Sequence, residues 1–166
     1  MAEQLHTPED WKPYLHLFEE LLERIEKKPW YADGWKAQCR HIPVGNRVIF
    51  TLSKDSWCGG AIYFKTRLTN ADLEKGSLRI GLHVETSIPE HGINRIVFGK
   101  FLLDKSESLM QTWHGYIVKP AHHQKPLHTT IALSKSTLVS RLDEEFSRLQ
   151  SLGPDIEQAI EAAKRY

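Results

Sequence analysis

The apolar residues change period several times along the chain, and each change marks an element. Trp11, Leu15, Phe18, Leu22 and Ile25 recur at steps of three and four, with Leu21 beside them, as the one apolar stripe of an amphipathic helix. Thr7-Pro8-Glu9-Asp10 supplies its start: a hydroxyl to cap free N–H groups, a proline where no donor is needed, and acids at the positive end. Lys27, Lys28 and Pro29 supply the stop, so the pattern predicts a helix over 8–28, with Pro13 near its first turn.

The period then falls to two. Val48, Phe50 and Leu52 share one face of a first strand; Ile62, Phe64 and Leu68 oppose Tyr63, Lys65 and Arg67 on a second. On a third, Leu78, Ile80, Leu82 and Val84 oppose Arg79, Gly81, His83 and Glu85. With "KDSWCGG" and "NADLEKGS" as turns, this predicts three consecutive antiparallel strands over 47–52, 61–68 and 78–85, with one wetter face.

Between the first helix and this meander lies "PWYADGWKAQC", read as a loop around Asp33-Gly34. Its Trp30, Tyr31 and Trp35 have two readings: rings packed over one end of the core, or an aromatic binding surface.

After the meander, Ile93, Ile96, Val97 and Phe101 fit a helix over 93–104, and Ser106–Gln111 has loop character. "HGYIVKP" and "LHTTIALS" predict two short strands joined by "PAHHQKP". Leu138, Leu142, Phe146 and Leu149 make a further amphipathic helix, Gly153-Pro154 breaks it, and Ile156, Ile160 and Ala163 continue as a last helix. The order α-βββ-α-ββ-α-α predicts one α+β domain over 1–166: an antiparallel sheet of about five strands with N- and C-terminal helices packed on one face.

Composition narrows the function classes. Lys plus Arg (22) nearly balances Asp plus Glu (21), so no global field draws the chain to nucleic acid, and a basic patch would have to be local. No apolar run approaches the roughly 20 residues of a membrane span, and the first residues carry no secretory pattern. Cys39 and Cys58 are too few for a disulfide framework, so a reduced pair and a cytoplasmic location are expected.

The run "PAHHQKPLH" has the most chemical character, with His122, His123 and His128 inside seven residues. A zinc site wants thiolates, or imidazoles backed by carboxylates, and the run holds neither, so no metal or other cofactor is expected. It becomes a site only if these histidines meet His83, Glu85 or His114 in space. His83 and Glu85 stand two apart on one strand face and open the H-x-E of zinc deaminases, but no Pro-Cys-x-x-Cys follows. A His–Glu dyad for acid–base work remains as an enzymatic alternative. Cys58 lacks a helix N-terminus to lower its pKa, and no G-x-S-x-G, Walker-type or G-x-G-x-x-G segment is present.

Helix, meander and helix resembles in outline the core of restriction-type nucleases. Those need an acid on the second strand and an E-x-K on the third. Here the second strand carries Lys65 and Arg67, and the third ends Glu85-Thr86-Ser87, so the resemblance implies a core without its active site. The element order also resembles type III secretion chaperones in topology, which implies a homodimer presenting grooves to a protein partner.

The wetter sheet face carries Tyr63, Lys65, Arg67, Arg79 and His83. That set suits an acidic protein partner through charge complementarity, or single-stranded nucleic acid through cations and an aromatic, or it is a solvated face with Arg–Glu pairing. The expectation is a non-enzymatic protein-binding module (adaptor, inhibitor, immunity or chaperone-like) acting through this face or through Trp30, Tyr31 and Trp35. A nucleic-acid accessory domain is the alternative.

Overall fold

A computed structural model describes residues 8–118 and 126–164. The first helix, α1 (Pro8–Glu26), keeps the expected stripe: Trp11, Phe18, Leu21 and Ile25 are buried, Leu15 and Leu22 half-buried. Thr7, expected as its cap, lies outside the described residues. Pro13 is accommodated within the helix.

Strands β1 (Trp35–Ile42), β2 (Arg47–Lys54), β3 (Ile62–Leu68) and β4 (Ser77–Val84) form an antiparallel meander. A short helix, α2 (Asn70–Lys75), links β3 to β4. A reciprocal bond between Thr69 and Asp72 caps it, and Gly76 closes it in the left-handed conformation at φ +73°. Helix α3 (Arg95–Met110) follows, then β5 (Ile117–Val118) and β6 (Leu127–Ala132). Helices α4 (Leu138–Gln150) and α5 (Gly153–Ala163) complete the described chain. The sheet order is β1-β2-β3-β4-β6-β5, antiparallel throughout, with α1 and α4 packed on the sheet and α3 against α5. This is the expected α+β class.

Two expectations are corrected. Half of the segment read as an aromatic loop is instead the edge strand β1, which brings the sheet to six strands, in keeping with the expected count of about five. Its inward positions after Trp35 are Ala37, Cys39 and His41, too small or too polar to show a period-two signal. The helix expected to stop near residue 104 runs to Met110. Ser106, in the stretch with loop character, is fully buried and donates its hydroxyl to Asp155 on α5 at 2.8 Å. Helix-to-helix packing overrides the weak helix propensity of serine there.

The core lies between the sheet and the helices. Trp57 sits edge-on to Trp35 (5.1 Å) and to Phe64 (5.7 Å), and Phe50 meets Phe146 of α4 at 5.0 Å. A carboxylate is enclosed at the margin: Glu145, 2% exposed, accepts the Tyr116 hydroxyl and pairs with Arg148 at 3.5 Å. Burial first, then the bond to Glu145 and its charge, push the Tyr116 pKa far above the ordinary tyrosine value.

A phenol whose folded pKa is raised contributes stability that is complete below its unfolded pKa of about 10 and is lost as pH rises through the folded one. Tyr116→Phe should therefore cost about 1–2 kcal/mol at neutral pH. That deficit should shrink above pH of about 10, where only the wild type carries the penalty. Urea unfolding of both proteins across that range is the measurement; a deficit that stays constant would contradict the assignment.

Candidate functional site

Strand parity sorts the sheet residues onto two faces. The inner face holds Val48, Phe50, Leu52, Ile62, Phe64, Leu68, Ile80 and Leu82, all buried. The outer face is basic. It carries Lys36 and Arg40 from β1, Arg47 from β2, Lys65 and Arg67 from β3, and Arg79 from β4. All five sheet-face residues chosen from the sequence, namely Tyr63, Lys65, Arg67, Arg79 and His83, fall on this one face.

The residues differ in what they touch. Tyr63 stacks on His83 across β3 and β4, with ring centroids 5.0 Å apart and 21° between planes. Its hydroxyl donates to Glu85, and His83 Nε2 lies 3.5 Å from the same carboxylate. Burial, then the bond to Glu85, raises the Tyr63 pKa well above its usual value, so the phenol remains a donor. Glu85 is thus engaged by Tyr63 and His83, and the Arg–Glu pairing of a neutral solvated face is not what forms here. Among the described residues no carboxylate lies in ion-pair range of Arg67, Lys75 or Arg79.

At the centre of the face is a hollow of ≈ 370 Å³ lined by Lys65, Arg67, Asp72, Lys75, Arg79, Gly81, His83, His128 and Thr130, among others. Its cause is Gly81. One row across the sheet reads Thr51, Lys65, Gly81, His128, so a side chain is missing between two long ones. A Cβ at Gly81 would stand 2.1 Å from the Leu127 carbonyl oxygen and 2.7 Å from His128 Cα, so no other residue fits.

The register also partly answers the question raised by the histidine run. His128 is buried on the basic face and lines the same hollow as His83, with Glu85 behind His83. His114 is exposed and lines no part of it, and His122 and His123 lie outside the described residues. Among the described residues no three His, Cys, Asp or Glu side chains are grouped to hold a metal ion. Burial raises the pKa of both thiols, chiefly by desolvation, so Cys39 and Cys58 are poorly disposed to ionise.

The aromatic segment is turned inward. Trp35 is 7% exposed in the core, Trp30 meets it edge-on at 5.8 Å, and Tyr31 accepts the Ala37 N–H on its hydroxyl at 3.0 Å. These three rings are not brought to the basic face. Sequence reasoning missed Gly81 and Lys75 as members of the site and made His128 conditional on its meeting His83, which it does in this hollow. A lone glycine inside an alternating strand was the available signal for the first.

No helix among the described residues is long and apolar enough to cross a membrane. No protein-family model, no curated protein and no solved structure matches this chain.

Proposed function

We propose that this chain is a binding module that docks an acidic protein partner on its outer sheet face. The observation that carries this reading is the set Arg67, Lys75 and Arg79, held together on one face without a carboxylate partner among the described residues. With total charge near zero, those cations leave the rest of the molecule with a net excess of acid, so the charge is segregated. Segregated charge steers an oppositely charged surface into register and raises the association rate.

Nucleic acid is the less supported ligand. Base stacking needs an open ring, and the one aromatic side chain that strand parity puts on this face, Tyr63, is stacked on His83 and tied to Glu85. Among the described residues α1 and α4 pack on the other face of the sheet, and no helix covers this one.

The test is affinity capture from nuclease-treated host extract with the wild type, with Arg67→Glu/Arg79→Glu and with Lys164→Glu as a control. Both arginines are exposed, so the double variant should melt within a few degrees of the wild type. It should lose an acidic protein that the wild type and the control retain, with affinity reduced at least about tenfold per residue. Equal retention by the double variant, or capture seen in a parallel untreated extract but not in the nuclease-treated one, overturns the reading.

A further inference from the structure

The geometry points to a phosphate-binding pocket: we infer that the hollow over Gly81 seats a phosphorylated side chain of the acidic partner. This rests on the docking reading above and names the group that the partner presents.

Register supplies the first argument. Lys65 pairs with Gly81 and Thr66 with Ile80, and Arg67 and Arg79 follow on the same outer face where that ladder ends, so the two guanidinium-bearing positions are neighbours. Like charges neighbouring each other across strands destabilise a sheet. Here the pair stands beside Lys75, and among the described residues the one carboxylate lining the hollow is Asp72. That carboxylate caps α2, accepting the Thr69 N–H and hydroxyl, both at 2.9 Å, and makes no ion pair with either arginine. A bound anion removes the repulsion that the fold otherwise carries.

Shape supplies the second. Flanking strands lie about 4.8 Å on either side of β4. The hollow lies beside Gly81, which adds no side chain to it and against which the β6 backbone packs too closely for a Cβ, and Lys65, Arg67, Arg79, His83 and His128 line it. At ≈ 370 Å³ the space is larger than one phosphate and takes the group together with the side chain that bears it.

Chemistry selects the anion. A phosphate monoester carries about −1.5 to −2 charges at neutral pH and three acceptor oxygens, which matches several converging cations. Guanidinium forks bind such oxygens in pairs. A glutamate offers one charge and two oxygens and leaves the set under-neutralised. A nucleic-acid phosphodiester also brings one charge per group and would need bases stacked nearby.

The experiment uses ¹⁵N-labelled protein and three probes: an acetylated Gly-Gly-phosphoserine-Gly-Gly peptide, its unphosphorylated twin, and a short oligouridylate. The phosphopeptide should shift the Gly81 amide, the Arg67 and Arg79 Nε–H signals and the imidazole signals of His83 and His128, saturably. The twin should not. Arg67→Gln and Arg79→Gln should each weaken binding at least about tenfold while the melting temperature of the free protein holds or rises, since each removes one of two repelling charges, and Lys164→Gln should not weaken binding.

The pocket assignment is overturned if the phosphopeptide moves none of these signals at millimolar concentration. Tighter binding of the oligouridylate through the same residues also overturns it, in favour of nucleic acid. Loss of the pocket while charge-dependent capture persists leaves the docking reading intact. Capture indifferent to Arg67 and Arg79 removes the docking reading, whatever the phosphopeptide does.

Discussion

Gly81→Ala is expected to destabilise the protein by about 3 kcal/mol or more, a large cost for one methyl group. The added carbon would meet the Leu127 carbonyl oxygen at 2.1 Å, and that contact is backbone, which cannot rotate away. Relief requires β4 and β6 to separate, which weakens the ladder from Ser77–Ala132 to Leu82–Leu127. Gly76→Ala is the informative comparison. At φ +73° with nothing within 4 Å of the added carbon, it pays for backbone conformation alone, about 1 kcal/mol. Urea unfolding of the two variants should show a much larger fall in midpoint for Gly81→Ala. Equal midpoints would mean that β6 does not approach β4 this closely.

Trp57→Ala should cost about 3–5 kcal/mol, a large share of the total stability of a typical domain. Trp57 is fully buried and meets Trp35 and Phe64 edge-on, and α5 begins against the same rings. A Cβ at Gly153 would lie 3.2 Å from the Trp35 ring and 4.0 Å from that of Trp57. Emptying the Trp57 position therefore loosens both the sheet and the start of α5. Trp57→Phe should cost much less than the alanine variant. It keeps a ring in place and removes an indole Nε1 that is buried without a hydrogen-bond partner among the described residues. Equal losses in thermal or urea melts would indicate that the ring contacts contribute little.

The sequence made some of this legible and hid the rest for definite reasons. Strands β2 to β4 were readable because their inner positions are large and apolar while their outer ones are polar. Strand β1 was hidden by Ala37, Cys39 and His41, and the end of α3 by a serine whose partner, Asp155, is far along the chain. The cationic face followed from parity alone, since Lys65, Arg67, Arg79 and His83 alternate with core residues. Its hollow did not, because it depends on the register that sets His128 beside Gly81, a pairing between distant parts of the chain. The aromatic residues Trp30, Tyr31 and Trp35 were ambiguous for a similar reason: what they pack against, Trp57 and Phe64, comes later in the chain.

The bond between the Tyr31 hydroxyl and the Ala37 N–H bears on how this sheet meets other molecules. That N–H belongs to the outermost strand and is given to the phenol, not to β2, so a would-be seventh strand finds this donor already taken. At the other margin the strand among the described residues is β5, two residues long and a short template for an addition. Growth of the sheet is thus discouraged at both ends, which guards against edge-to-edge polymerisation and favours visitors that lie across the strands. Tyr31→Phe, which frees the donor, is where a tendency to self-associate through β1 should first appear.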